Sequence, residues 1–143
     1  MKREYPNHPI IGVGAIIIRR EEVLLARRGK EPGYGKWSIP GGAVKLGETL
    51  EEAVVREVCE EVNLAVRVGE VVEVLERIFR DPGGRVQYHY VLVDFLCEHV
   101  SGEGKPSSDA LEVQWVPVSE ISCHGLPGKT KKVIQKAFEM RRK

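Results

Sequence analysis

Three glutamates lie close together in a segment that has the pattern of an amphipathic helix. Glu60 and Glu61 follow Glu57 by three and four positions, so on a helix the three side chains can converge. Like charges at this spacing repel each other, and near the C-terminal end of a helix they also oppose the helix dipole. A divalent cation reverses that cost, because hard cations such as Mg²⁺ prefer carboxylate oxygens. The spacing alone therefore indicates either a metal site or a solvated acidic face, which is the commoner origin of such clusters.

The predicted helix has recognisable ends. Thr49 and Glu52 form a capping-box pattern, which places the start of the helix near Thr49. The helix should end near Val62, and Asn63 suits the left-handed conformation that often follows a helix. At about 100° per residue, the glutamates occupy an arc separate from one broad apolar arc that can bury against a sheet. The apolar arc contains Val54, Val55, Val58, Cys59 and Val62.

A longer motif surrounds this helix. From Gly42 to Leu64 the sequence fits G-x5-E-x7-R-E-U-x-E-E-x-G-U, where U is a bulky aliphatic residue. The segment resembles the Nudix box, since six of the seven fixed residues and both aliphatic positions match. The departure is Asn63 in place of glycine. Asparagine is the next best residue at positive φ, so we expect a small stability cost and intact chemistry.

The resemblance implies a metal-dependent hydrolase. Nudix hydrolases cleave a nucleoside diphosphate linked to another moiety X and release a nucleoside monophosphate and X-phosphate. Carried over to this chain, the resemblance implies Mg²⁺ or Mn²⁺ as the cofactor, with Gly41 at the metal site. Glu48 and Arg56 form a supporting pair that orients the loop and the helix. The implied metal ligands are Glu57, Glu60 and Glu61.

The general base is open at this stage. In this family it is a carboxylate from the box or from a later loop, and Glu61 is the candidate in the box. The segment SSDALEVQW adds Asp109 and Glu112, just before a predicted strand that contains Trp115. Either loop acid could bind metal or accept the proton, or could be a solvated loop side chain.

Several residues are candidates for substrate binding. Arg27 and Arg28 end a predicted strand, and adjacent strand residues point to opposite faces, so at most one of them faces the site. Arginine can clamp a phosphate, and Gly42 lets the loop backbone approach one. Trp37 could stack on a base, although aromatic residues in strands more often belong to the core. The same choice applies to Tyr34, Tyr88 and Tyr90, whereas His89 is expected to be a packed or hydrogen-bonded histidine.

The order of elements along the chain is strands, helix, strands, helix. Pro9–Arg19 and EVLLARR form two strands joined tightly, and GKEPGYGKWSIPGG is predicted to be a loop. Ala65–Phe79 and RVQYHYVLVDFLC form a hairpin, and EVQWVPV is a short strand. The last segment, TKKVIQKAFEMRRK, is predicted to be a helix with an apolar stripe at Val133, Ile134, Ala137 and Phe138. The fold class is therefore α/β (α+β), a Nudix-like α/β/α sandwich with a mixed β-sheet between helices.

Composition sets the remaining expectations. The chain has 143 residues and a formal net charge of +1, so no bulk charge favours nucleic acid or an anionic membrane. Three widely spaced cysteines suggest reduced thiols, and no apolar run approaches the ~20 residues of a membrane span. We expect a single Nudix hydrolase domain over residues 1–143, cytoplasmic, acting on a small nucleotide. A homodimer is a fair expectation, because many family members dimerise.

The identity of the substrate stays open. The stretch RDPGGRVQYHYVLVDFLC resembles the corresponding region of Nudix proteins described as ADP-ribose pyrophosphatases. The rival substrate is a nucleoside triphosphate, such as a damaged nucleotide, and the Nudix box serves both. A non-catalytic nucleotide-sensing domain and an RNA-end hydrolase are the further alternatives. Intact box glutamates argue against the sensing domain, and the small net charge argues against the RNA-end hydrolase.

Overall fold

A computed structural model describes residues 3–106 and 109–142. Seven strands, two α-helices and one 3-10 helix follow one another in this part of the chain. The strands before the first helix are β1 (Ile10–Arg19), β2 (Glu22–Arg28), β3 (Trp37–Ser38) and β4 (Gly41–Ala43). Helix α1 (Leu50–Val62) leads into β5 (Ala65–Arg80), β6 (Val86–Ser101) and β7 (Ala110–Pro117). The 3-10 helix (Val118–His124) and α2 (Gly128–Arg142) complete the described chain.

The strands form one mixed sheet in which β1 is central. Its main path is β3-β2-β1-β6-β5, while β4 pairs with β1 and β7 pairs with β2. The pairing of β1 with β6 is parallel, and the other strand pairs are antiparallel. On its other side β1 changes partner, because β2 pairs only near Ile18 and β4 pairs near Gly12–Gly14. This split lets the segment that carries Gly41 and Gly42 reach the middle of the sheet.

Each face of the sheet is covered by one helix. Alternating residues of β1 divide between the two faces, as a period of two requires. Ala15 and Ile17 join the core under α1, whereas Ile16 and Ile18 join the core under α2. The predicted stripe of α2 is buried in the second core: Val133, Ile134, Ala137 and Phe138. The predicted α/β/α arrangement with a mixed sheet is thereby confirmed.

Helix α1 has the predicted ends but a different buried face. The Thr49 side chain accepts from the backbone of Glu52, and the reciprocal bond of the capping box is also present. Asn63 caps the C-terminus in the left-handed conformation with φ 56° and ψ 42°. The predicted apolar arc included Val55 and Cys59, and that part of the prediction was wrong, because both residues are exposed. The buried residues of the helix are Ala53, Val54, Val58 and Val62.

Short elements were missed by the sequence patterns. The segment GKEPGYGKWSIPGG, predicted to be a loop, contains β3 and part of β4. Strands of two or three residues carry no periodic pattern, and these exist because longer strands offer them backbone partners. Helix α2 begins at Gly128, two residues before the predicted start. Within residues 3–106 and 109–142, no helix is long and apolar enough to cross a membrane.

Candidate active site

The acidic residues of α1 are not a separate solvated face. Around the helix axis, Glu57 and Glu61 lie at angles between those of the buried residues Ala53 and Val58. Their side chains therefore point toward the sheet rather than away from it. The Glu57 side chain is only 16% exposed, whereas Glu60 is 53% exposed. Two carboxylates on the inward side of a helix need compensating partners, because burying an unpaired charge is costly.

Arg56 supplies much of that compensation. Its Nε and Nη2 donate to the two oxygens of Glu48 at 2.7 and 2.9 Å, a bidentate pair that is 19% and 14% exposed. Nη1 donates to Glu57 at 2.7 Å and to Glu60 at 3.3 Å. Nη2 also donates to the carbonyl oxygen of Ala43 at the end of β4. The guanidinium thus joins the loop before the helix to the glutamates, as predicted for the Glu48–Arg56 pair. The Arg56 guanidinium holds the pKa of Glu48 down at about 2, chiefly through these hydrogen bonds.

Strand β4 passes close to the glutamates because two of its three residues are glycines. A Cβ on Gly42 would collide with the carboxylate of Glu57, and one on Gly41 would collide with the carbonyl oxygen of Val13. The backbone N–H of Gly41 donates to Glu61 at 3.3 Å. The two glycines therefore bring the main chain of β4 against the carboxylates.

Glu61 is a largely buried carboxylate with a raised pKa. Burial raises its pKa to about 7, and nearby Glu57 raises it further, while the Gly41 N–H, Arg28 and Lys30 lower it. A carboxylate held in this state has a strong tendency to gain a cation or a proton. The donor set of Glu57 and Glu61, with Glu60 at its edge, suits a hard divalent cation that prefers oxygen ligands.

In the described ranges, no group of three His, Cys, Asp or Glu side chains is positioned to hold a metal. Arg56 lies against Glu57 and Glu60 instead, so its guanidinium partly takes the position of a counter-charge. The residue types nevertheless fit a divalent cation, because all three offer carboxylate oxygens.

One cavity of about 830 Å³ joins the glutamates to the sheet face that α2 partly covers. Its lining includes Glu57, Glu60 and Glu61 on one side. Basic residues that can attract an anionic ligand line the same cavity: Arg28, Lys30, Lys36 and Lys45. The volume falls within the usual range of small-molecule sites, roughly 300–1,000 Å³.

The geometry can be compared with known proteins. A family model described as NUDIX domain matches residues 8–137. The chain belongs to the Nudix family. This confirms the resemblance that the motif carries.

Nudix relatives that are named for different activities are similar to this chain. An ADP-ribose pyrophosphatase of Methanocaldococcus jannaschii is 36% identical over 114 residues, which cover 80% of this chain and 65% of that protein. An 8-oxo-dGTP diphosphatase of Escherichia coli is 32% identical over 129 residues, which cover 88% of this chain and 93% of that protein. The crystal structure of a MutT NUDIX hydrolase from Burkholderia pseudomallei matches with a TM-score of 0.78 at 28% identity, over 91% of this chain and 98% of that chain. The chain thus spans just under two thirds of the M. jannaschii protein.

The two arginines that end β2 are separated by the fold. Arg28 lines the cavity and acts on the pKa of Glu61, whereas Arg27 pairs with Glu112 at 2.8 Å and donates to the carbonyl of Gly35. Among the described residues, neither Arg27 nor Glu112 lines the cavity. Asp109 does line it, and accepts from Lys30 at 2.8 Å. The Nudix site therefore brings one arginine and one loop acid toward the glutamates and leaves the other arginine and acid aside.

The aromatic candidates are also divided. Trp37, Tyr88 and Tyr90 line the cavity, and the two tyrosine rings are stacked with centroids 6.3 Å apart. Tyr34 is 59% exposed and lies outside the lining found in the described chain. His89 lies between the two tyrosines on β6, so its side chain points to the opposite face, where it is opposite Ile78 of β5.

Sequence reasoning missed several charged residues of the Nudix cavity, among them an acid on β6 and an arginine on β5. Asp94 on β6 is 4% exposed and lines the cavity, as does Arg77 on β5. Burial raises the pKa of Asp94 to about 6, Arg77 lowers it and Glu73 raises it. The signal in the sequence was an acid inside the apolar run VLVDFLC, which is costly unless the fold has a use for it.

Proposed function

We propose that this domain hydrolyses the diphosphate linkage of a nucleoside diphosphate joined to a second moiety, of the ADP-ribose type. The products are a nucleoside monophosphate and the phosphorylated second moiety. One observation carries the proposal: the same cavity is lined by the glutamates of α1 and by the aromatic and polar residues of the sheet. Similarity to an ADP-ribose pyrophosphatase supports this substrate class.

The residues of this chain have distinct proposed roles. When bound, Mg²⁺ or Mn²⁺ supplies charge neutralisation at the diphosphate and a more acidic water. We assign Glu57, Glu60 and Glu61 to hold the ion, beside the backbone of Gly41. Glu48 and Arg56 keep the loop and the helix in register through their bidentate pair. Arg28 and Lys30, which line the same cavity, attract and orient the anionic phosphates.

The nucleophile in this proposal is water, which attacks phosphorus after losing a proton to a carboxylate. Glu61 and Asp109 line the cavity and are the two candidates for that base. Glu112 is a weaker candidate, because it is engaged with Arg27 outside the lining. If Asp109 is the base, Asp109→Asn should reduce kcat at neutral pH by roughly 10²-fold or more, whereas a rate near that of wild type would leave the role to Glu61. Glu112→Gln is the matched control and should stay close to wild type, and the opposite ranking would assign the role to Glu112.

A substrate panel tests the function. Purified protein with Mg²⁺ or Mn²⁺ would be offered ADP-ribose, sugar nucleotides, dinucleoside polyphosphates and nucleoside triphosphates, with products followed by ³¹P NMR. Reaction in H₂¹⁸O should place one labelled oxygen on a phosphate product, because the nucleophile is water. Absence of turnover with every diphosphate compound would remove the hydrolase proposal and favour a nucleotide-sensing domain.

A nucleoside triphosphate is the second candidate substrate. The 8-oxo-dGTP diphosphatase of E. coli matches over 93% of its length, which supports this class. The same panel separates the two classes by their kcat/KM values.

The free thiols of Cys59, Cys97 and Cys123 fit a reducing compartment, so we place the activity in the cytoplasm.

A further inference from the structure

Asp94 is a buried carboxyl group whose side chain has no hydrogen-bond donor among the described residues. Its residue is 4% exposed, and its environment contains charge effects from Arg77 and Glu73 only. It lines the large cavity, where the donor of a bound ligand can reach its oxygens. Burying a carboxyl group without a donor is costly, and a protein retains it where a ligand provides the donor.

The backbone of β1 is shaped to admit this carboxyl group. Gly14 is directly opposite Asp94 in the β1–β6 ladder, and a Cβ on Gly14 would overlap Oδ1 of Asp94. Gly12, two residues earlier on the same face, similarly makes room for Leu92, whose Cδ2 would lie 2.8 Å from an added Cβ. The glycines in GVG therefore open a groove along the sheet, and the carboxyl group of Asp94 lies in it.

Arg77 lines the same cavity. Its Nη2 donates to Oγ1 of Thr130 on α2 at 3.2 Å, which fixes the guanidinium. Its Nε is buried and has no hydrogen-bond partner in the part of the chain that the structure describes. Asp94 and Arg77 thus line one cavity from two neighbouring strands. Among the described residues, the carboxyl group of Asp94 has no donor and the Nε of Arg77 has no acceptor.

Aromatic rings stand beside these two polar groups. Tyr88, Tyr90, Leu92 and Asp94 alternate along β6, so they share one face. The two tyrosine rings are stacked at an interplanar angle of 11°, and Phe79 packs edge-on against Tyr88. A planar heterocycle that enters this region can contact aromatic surface while its edge meets Asp94 and Arg77.

We propose that Asp94 and Arg77 recognise the base of the substrate through an exocyclic amino group and the acceptor beside it. Asp94 accepts from the amino group, and Arg77 donates to the neighbouring ring nitrogen or carbonyl oxygen. The preferred ligands are nucleotides of adenine, guanine or cytosine over those of hypoxanthine or uracil, which lack that amine. The inference rests on the proposed function, because it takes this cavity to be the nucleotide site.

Binding without catalysis tests the proposal. Isothermal titration calorimetry in EDTA would measure the affinity of wild type for AMP, GMP and IMP, and for CMP and UMP. At least one amino nucleotide should bind roughly tenfold or more tightly than its counterpart without the amine, as expected for a hydrogen bond to a charged group. Asp94→Asn should abolish or invert that preference, because an amide can turn its NH₂ toward a carbonyl oxygen, which a carboxylate cannot do.

Two further variants keep the result interpretable. Glu73→Gln is the matched control, since Glu73 is opposite Asp94 on β5 but pairs with Lys136 outside the cavity, and it should retain the preference. Arg77→Met should weaken binding of the preferred nucleotide. Equal affinities in wild type, an unchanged preference in Asp94→Asn, or no binding of any of the five monophosphates would each overturn the inference.

The hydrolysis panel separates the two proposals. If diphosphate compounds turn over with no dependence on the amino group, base recognition by Asp94 is wrong and the proposed function stands. If calorimetry shows the preference and no compound turns over, the hydrolase proposal fails and the recognition site stands.

Discussion

Arg56 connects two parts of the site that the chain brings together from separate segments. It bonds Glu48 in the loop, Ala43 at the end of β4, and Glu57 and Glu60 on its own helix. Because the pair with Glu48 is bidentate and shielded from water, its geometry matters more than its charge alone. A lysine at this position would therefore keep the positive charge but could not form the bidentate pair with Glu48.

We expect Arg56→Lys to lower the free energy of unfolding by about 1–3 kcal/mol, because hydrogen bonds to two carboxylates are lost. Arg27→Lys is the matched control, since Arg27 and Glu112 are 42% and 56% exposed. That exposed pair should change stability by no more than about 1 kcal/mol. Urea denaturation at pH 7 measures both variants. Equal losses would show that the Arg56 network does not hold the loop to the helix.

Asp94 predicts a pH dependence of stability. Its pKa in the fold is about 6, above the ordinary value of 3.8, because burial outweighs the opposing effect of Arg77 on β5. Its stabilising contribution is therefore fully present below about pH 4 and is lost as the pH rises through 6. The loss for the metal-free protein is on the order of 3 kcal/mol.

Denaturation of wild type and Asp94→Asn between pH 4 and pH 8 measures this contribution. The asparagine variant should lose less stability over that range, so the two curves should converge at low pH and separate at high pH. Glu73→Gln is expected to resemble wild type, since Glu73 has a smaller effect on the pKa of Asp94. Parallel curves for wild type and Asp94→Asn would contradict the burial of an uncompensated carboxyl group.

At the scale of elements, helix α1 depends on its C-terminal cap. Asn63 has φ 56°, its N–H donates to the carbonyl of Cys59, and its side chain donates to the carbonyl of Lys105 at 3.0 Å. Asn63→Gly should keep the backbone conformation and nearly full activity, with a small change in stability. Asn63→Val should lower the melting temperature by several degrees, roughly 1–2 kcal/mol, because a β-branched residue resists positive φ. A valine variant as stable as wild type would contradict this backbone assignment.

The elements that sequence reasoning predicted well are those fixed by local chemistry. The capping box at Thr49 and the left-handed Asn63 need only neighbouring residues, and both are present. Strands β3 and β4 were missed because they pair with β2 and β1 rather than follow a pattern of their own. Val55 was wrongly placed in the core, since Arg56 and β4 draw Glu57 toward the sheet and so fix the rotation of the helix. Asp94 and Gly14 meet across a parallel ladder that no local pattern reveals.

At the scale of the whole molecule, a divalent cation should stabilise the domain by mass action. An ion that binds the fold and not the unfolded chain at 100 times its Kd adds about 2.7 kcal/mol. For a domain of this size, that corresponds to a rise of roughly 5–10 °C in melting temperature. Mg²⁺ or Mn²⁺ should produce this rise in wild type and in Glu112→Gln, measured by calorimetric scanning.

The rise should be much smaller in Glu57→Gln, because one ligand of the proposed site is gone. Glu57→Gln combined with Glu60→Gln should lose little more, since the first change already disables the site. A full metal-induced rise in melting temperature in Glu57→Gln would contradict the proposed metal site. The acidic residues of α1 would then have a structural role alone.

The parallel pairing of β1 with β6 has a consequence for the order in which the molecule can form. Ile10 is paired with Tyr90, eighty positions later, and β2 likewise pairs with β7, which is far later in the chain. Chain synthesis proceeds from the N-terminus, so β1, β2 and the whole Nudix box emerge before either partner strand exists. Closing such long loops is slow, and apolar strands such as Ile16–Ile18 are open to other chains until then. A nascent chain released before Val86 would carry every glutamate of the box, yet it would lack the strand that completes the cavity and would be prone to aggregate.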